Sequence, residues 1–233
     1  EGGAVLLHGV TGSGKTEVYL RAVREVLDEG RQALVMVPEL ALTPQAVQRY
    51  RGRLGPTVGL LHSGLSDPDR RENWWALRRG ELSVALGTRS AVFAPLARPG
   101  LFILDEEHET SYKQESSPRY HARQVAFRRA ARHGAAVLLG SATPSLESYH
   151  LAEQGRYRLV ELSARPGGRP LPGVRIVDMR SWRTNRLLSP ALAQGIRDRA
   201  AAGEQVVLLL NRRGFANFLQ CQECGYVPGC GHC

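Results

Sequence analysis

Residues 9–16 read GVTGSGKT and fill the spacing G-x-x-x-x-G-K-[ST] at every fixed position. Gly9, Thr11 and Ser13 belong to the same loop, and glycines at 12 and 14 let successive backbone N–H groups turn inward around an anion. The Lys15 ammonium neutralises terminal phosphates, and the Thr16 hydroxyl is suited to hold Mg2+. The chemistry this predicts is binding of a nucleoside triphosphate. A glycine-rich turn that matches by accident is the alternative, and the flanks weigh against it. The apolar run Ala4-Val5-Leu6-Leu7 leads into the loop, and Val18, Ala22, Val23, Val26 and Leu27 recur behind it at helical spacing, stopping near Gly30.

A second cluster, Asp105-Glu106-Glu107-His108, ends the apolar run Leu101-Phe102-Ile103-Leu104. Beside a phosphate loop, Asp105 would enter the magnesium shell and Glu106 would polarise the attacking water as general base, which makes Lys15, Asp105 and Glu106 the catalytic candidates. Without that loop, an acidic structural turn would explain the same residues. Ser141, Ala142 and Thr143, within Gly140–Pro144, offer small hydroxyl groups that can exchange hydrogen-bond partners between a nucleotide site and a moving element. A turn capping the next helix, through Pro144 and Ser145, accounts for them as well.

All four cysteines fall in the last thirteen residues, as Cys221-x-x-Cys224 and Cys230-x-x-Cys233. Each pair offers two thiolates at the spacing of a structural zinc knuckle. One site made from all four, and two half-sites awaiting partners, are both open on spacing alone; His232 is more simply a neighbour than a ligand. No disulfide is possible before Cys221, which fits a reducing compartment.

The elements that must carry these residues follow from periodicity. Short apolar runs at 34–37, 58–61, 84–86, 101–104 and 137–139 read as buried strands of a parallel sheet. Thr43-Pro44 and Ser66-Asp67-Pro68-Asp69 read as helix starts between them. Such alternation predicts an α/β fold with a central parallel sheet and ligands at the carboxyl ends of the strands. The Pro/Gly-rich stretch 163–173 breaks the pattern and reads as a linker between a first domain, 1–162, and a second α/β unit, 174–220. That unit would open with a helix at Ser189-Pro190 and a strand at 206–210, and residues 221–233 would form the cysteine-rich module. With 31 Lys and Arg against 22 Asp and Glu, the net charge of +9 favours a polyanionic partner over an acidic one. No apolar run approaches the roughly 18 residues of a membrane span, and the first residues lack a signal-peptide layout, so the expected location is cytoplasmic with no membrane partner.

In this order, GSGKT, DEEH and SAT resemble a superfamily 2 helicase. The further segments 38–45 (PELALTPQ), 61–65 (LHSGL), 86–91 (LGTRSA), 111–114 (SYKQ), 119–123 (RYHAR) and 211–215 (NRRGF) are similar to the PriA family of replication-restart helicases, across nearly the whole chain. The resemblance implies a RecA-like phosphate-loop domain, the start of a second RecA-like lobe and a truncated zinc-binding module. It implies an ATP-dependent 3′ to 5′ DNA helicase in replication restart and primosome assembly, using ATP, Mg2+ and two Zn2+ ions. The partners it implies are single-stranded and forked DNA, primosome proteins and single-stranded-DNA-binding protein. DNA contacts are expected from Ser63, Thr88, Arg89 and Ser90, and from an aromatic-rich loop containing Tyr112, Lys113, Arg119, Tyr120 and Arg123. Loop bracing by Arg89 and packing of Tyr120 are the competing roles. Cys221 with Cys224, and Cys230 with Cys233, would each be half of a four-cysteine site. The family's upstream DNA-binding region, and the arginine finger of its second lobe, would lie outside 1–233, leaving this piece weak in ATP hydrolysis. A scaffold that no longer hydrolyses ATP is disfavoured by the intact GSGKT and DEEH; a kinase or transport ATPase is disfavoured by SAT and the knuckles.

Overall fold

The computed structural model describes residues 3–164, 173–179 and 188–209. The chain divides into two compact units, Glu1–Leu171 and Pro172–Cys233.

The first unit is built on strands that alternate with helices. They are β1 (Ala4–Gly9), α1 (Lys15–Asp28), β2 (Gln32–Met36), α2 (Pro44–Leu54), β3 (Val58–Leu61), α3 (Asp67–Arg79), β4 (Val84–Gly87), β5 (Pro99–Asp105), β6 (Lys113–Gln114), β7 (Tyr120–His121), α4 (Ala122–His133), β8 (Ala136–Ser141), α5 (Leu146–Glu153) and β9 (Arg158–Leu162). Seven strands form one sheet in the order β3-β4-β2-β5-β8-β1-β9, with every pairing parallel. β6 and β7 form a separate antiparallel pair.

The strand sequences are apolar nearly throughout because both faces of the sheet are covered. Leu6, Leu34, Met36, Phe102, Leu104, Val137 and Leu139 pack on one side with Leu77 of α3 and Ala122, Ala126 and Ala130 of α4. Their chain neighbours Leu7, Ala33, Val35, Leu101, Ile103 and Leu138 pack on the other with Tyr19, Leu20 and Val23 of α1 and Tyr50 of α2. Period-two alternation thus feeds two cores, and the result is three layers.

Local signals set the helix starts. Thr43, Ser66 and Ser145 each accept a hydrogen bond from a backbone N–H of the first turn, at Ala46, Asp69 and Ser148. α1 is preceded by Gly14, in the left-handed region at φ 95°, with no side-chain cap, so no capping side chain takes up the N–H groups at this end. β9 and the β6–β7 pair carry no strong periodicity. β9 adds to the sheet beyond β1, with Leu7 beside Val160.

In the second unit, α6 (Pro190–Ala201) opens at Ser189, whose hydroxyl accepts from the Leu192 N–H. The expected strand at 206–210 is corrected over its described part: 206–209 have no strand pairing, and Val207 and Leu209 are 93 % exposed. A strand exists only through a hydrogen-bonded neighbour, and the described residues of this unit supply none. Among the described residues, no helix is long and apolar enough to cross a membrane. Residues 211–215 and the four cysteines lie outside the described residues.

Candidate nucleotide site and nucleic-acid interface

Because the sheet is parallel, the segments after β1, β2, β3, β4, β5 and β8 all leave from one edge. Strand order sorts them along it. The phosphate loop follows β1, Ser141–Thr143 end and follows β8, and Asp105–Glu106 end β5, so these three lie on adjacent strands. Residues 38–45, Ser63 and Thr88–Ser90 follow β2, β3 and β4 on the other half. One edge therefore carries both stretches that the sequence singled out, side by side.

At the loop, Lys15 is 9 % exposed and its Nζ donates to the Gly9 carbonyl at 2.9 Å, with Glu106 Oε1 3.5 Å away. Ser13 Oγ is buried and has no hydrogen-bond partner among the described residues. Gly12 and Gly14 have φ of 79° and 95°, and a Cβ on either would meet nothing within 4 Å. A nearly buried cation, an unsatisfied hydroxyl and an open turn of backbone N–H groups fit a phosphate-bearing ligand and leave room for it. Gly9 is crowded instead: a Cβ there would stand 2.6 Å from Ser13 Oγ and 3.1 Å from Lys15 Cγ.

Asp105 reaches the same place from β5. Its Oδ1 accepts from the Tyr19 hydroxyl at 2.8 Å and from the Glu106 N–H at 3.1 Å. Burial raises its pKa above the usual carboxylate value, against the lowering effect of the Tyr19 hydrogen bond. Tyr19 is itself buried, and desolvation first, then the Asp105 charge, push its phenol far up, so it remains a donor. The path between them crosses β8 at Gly140, which pairs with both Leu7 and Asp105; a Cβ there would lie 1.7 Å from the Tyr19 oxygen. Glu106 has φ 45°, alone in the left-handed region among described residues other than glycine. That costly backbone turns its carboxylate toward Lys15 and His108, whose Nδ1 is 3.7 Å from Glu106 Oε2.

His108 also joins Ser141–Thr143 to this centre. Its Nδ1 shares a 2.7 Å hydrogen bond with Ser141 Oγ, its Nε2 lies 3.5 Å from Thr143 Oγ1, and the Thr143 N–H donates to Ser141 Oγ at 2.9 Å. Ser141 is fully buried, whereas Ala142 is half-buried and Thr143 exposed.

The expected DNA contacts divide. Ser63, Ser90, Lys113 and Arg119 are exposed and Tyr120 is half-buried, whereas Thr88 is 4 % exposed. Arg89 Nη1 donates to the carbonyls of Ser111 and Lys113 at 3.2 and 3.1 Å and so braces the loop after β5. Tyr112 departs from expectation: it is 1 % exposed and its hydroxyl donates to the Asp105 carbonyl at 2.7 Å, so in this conformation it has no free face for a base. Arg123 also turns inward. Its Nη1 donates to Glu107 Oε2 at 2.7 Å and to the hydroxyls of Ser145 and Ser148, which commits it to an ion pair rather than to phosphate. Glu107, fully buried, additionally accepts from the Ser145 N–H at 2.7 Å and the Ser148 hydroxyl at 2.9 Å, fixing the start of α5 to β5 and α4.

Sequence reasoning missed Tyr19, Glu107 and the role of Gly140. A polar tyrosine one turn after Lys15, on the apolar stripe of α1, was the available signal for the first. Nothing local marks Glu107, because its partners are 16 to 41 residues away.

Comparison with known proteins follows the same lines. The pattern of the DEAD/DEAH box helicase family matches residues 1–151. The chain is 50 % identical over 231 residues to the replication restart protein PriA of Bacillus subtilis, covering 98 % of this chain and 29 % of that protein. It is 46 % identical to the PriA of Haemophilus influenzae, covering 98 % of this chain and 31 % of the relative. It thus spans less than a third of the length of these relatives. A solved structure of RecG bound to a three-way DNA junction matches 73 % of this chain and 22 % of its own, with a TM-score of 0.53 and 26 % identity.

Proposed function

From the premise that this chain belongs to the DEAD/DEAH box helicase family, we propose that it is the nucleotide-binding motor lobe of a replication-restart DNA helicase. The observation that carries this reading is the meeting of Lys15, Asp105, Glu106 and, through His108, Ser141 at the carboxyl ends of three adjacent strands. The backbone of residues 12–15 and Ser13 would hold the phosphates, with Lys15 on the terminal ones. Thr16 and Asp105 would hold Mg2+, which when bound neutralises the charge on the phosphates that are separated. Glu106 orients and deprotonates the attacking water, and its held backbone angle keeps its carboxylate at that place. His108, between Glu106 and Ser141, passes a change in the water site to the segment after β8.

The DNA strand is taken up by Ser63 and Ser90 on the other half of the edge and by Lys113, Arg119 and Tyr120 of the segment after β5, which Arg89 ties to it. These contacts follow charge and shape rather than base identity. Direction of travel, 3′ to 5′, forked DNA as substrate and primosome proteins as partners are supported by the likeness to the restart helicases. Cys221, Cys224, Cys230 and Cys233 are assigned to zinc on their knuckle spacing.

Lys15→Ala tests the site. DNA-stimulated ATP hydrolysis is expected to fall by at least about 100-fold with circular dichroism and melting unchanged; turnover within a few-fold of wild type would overturn the assignment.

A further inference from the structure

A large aromatic that the motifs leave unassigned stands beside the strand-binding stretch. Phe93 ends the single helical turn 89–93 that follows β4, and it is 54 % exposed between Val92 at 0 % and Ala94 at 1 %. The backbone on either side of it is held from below: Arg129 of α4 donates to the carbonyls of both Val92 and Ala94, and its guanidinium sits 5.4 Å from the ring centroid of Phe102 in the core. Leaving an apolar ring exposed is unfavourable, and a ring on an already ordered backbone costs less to immobilise on binding.

Phe93 meets Tyr120 of β7 edge to face, with centroids 5.0 Å apart and planes at 71°. That geometry occupies the edge of one ring and one face of the other; Tyr120 also packs against the core, and Phe93 keeps 54 % of its surface exposed for a flat partner. Arg89, in the same turn as Phe93, bonds the carbonyls of Ser111 and Lys113, so the turn and the β6–β7 pair are tied together. The same two-stranded ribbon carries exposed cations: Lys113 is 60 % exposed, its contact with the exposed Glu115 is of the weak surface kind, and Arg119, next to Tyr120 in the chain, is exposed too. An exposed aromatic ring on a segment that also carries exposed cations suits unpaired bases joined by phosphates better than a purely apolar protein segment.

We propose that Phe93 and Tyr120 together form a base-stacking platform for single-stranded nucleic acid, taking the part that Tyr112, enclosed in the core, does not. The proposal rests on the DNA-motor reading above. Phe93→Ala and Phe93→Trp in the full-length protein, titrated with a fluorescent oligothymidine at several salt concentrations, test it. Phe93→Ala should weaken binding about 5- to 150-fold while the slope of log K against log salt stays that of wild type, since no phosphate contact is lost. Phe93→Trp should bind as wild type and show additional tryptophan quenching on DNA addition. Wild-type affinity in Phe93→Ala, a salt slope reduced by about one, or no added quenching in Phe93→Trp overturns the platform and leaves the motor reading standing. A wild-type protein that does not bind the strand overturns both.

Discussion

Asp105 shows what a single residue gives up for its task. Its carboxylate is held where burial penalises charge, so its folded pKa lies above the ordinary value of 3.8. A raised folded pKa contributes stability that is fully present below that ordinary value and is lost as pH rises through the folded one. Ionising Asp105 therefore destabilises the nucleotide-free protein, and a bound cation would relieve it. Asp105→Asn keeps an oxygen for Tyr19 and the Glu106 N–H and removes the charge. It should raise stability at pH 7 without Mg2+ by about 1 kcal/mol and cost about 100-fold or more in ATP hydrolysis. Scanning calorimetry at pH 7 and pH 4 checks it: the gap from wild type should shrink in acid, and an equal or lower midpoint at pH 7 counts against this account. The residue types and order of GSGKT and DEEH were enough to expect Lys15, Asp105 and Glu106 in one centre. Their hydrogen-bond partners were not legible, because Tyr19 is 86 residues from Asp105 and only packing brings them together.

Among elements, β8 is the one whose composition the site dictates. It lies between the strands that end in the phosphate loop and in Asp105, and Gly140 opens the gap through which Tyr19 reaches across. Gly140→Ala would set a Cβ 1.7 Å from the Tyr19 oxygen, and Tyr19, fully buried, cannot swing out to solvent. The variant should lose about 1–3 kcal/mol in urea denaturation and lose hydrolysis with it, through the broken Tyr19–Asp105 bond. Unchanged stability would show that α1 yields more freely than a packed core should. Six strands of the sheet were readable as apolar runs of strand length, β1 as the run that leads into residues 9–16. β9 was not, since its exposed Arg158 and Glu161 interrupt the pattern, and it exists as a strand because β1 offers a free edge. The strand expected at 206–210 failed for the converse reason, as Val206, Val207, Leu208 and Leu209 have the composition of a strand without the neighbour.

For the molecule as a whole, both apolar clusters draw their residues from Glu1–Leu171. A piece ending at Leu171 should fold on its own, with far-UV circular dichroism of an α/β protein and cooperative melting within a few degrees of the complete chain. A non-cooperative transition would show that the first unit needs the second. Sequence alone determined which residue types stand at each strand end and the parallel α/β class, because motif spacing and apolar runs are local properties that neighbours in the chain express. Which motif stands next to which, whether Tyr112 and Arg123 face inward or outward, and that Phe93 is exposed beside Tyr120 were decided only by the tertiary structure. Strand order and burial arise from contacts between residues far apart in the chain, and a local pattern carries no record of them.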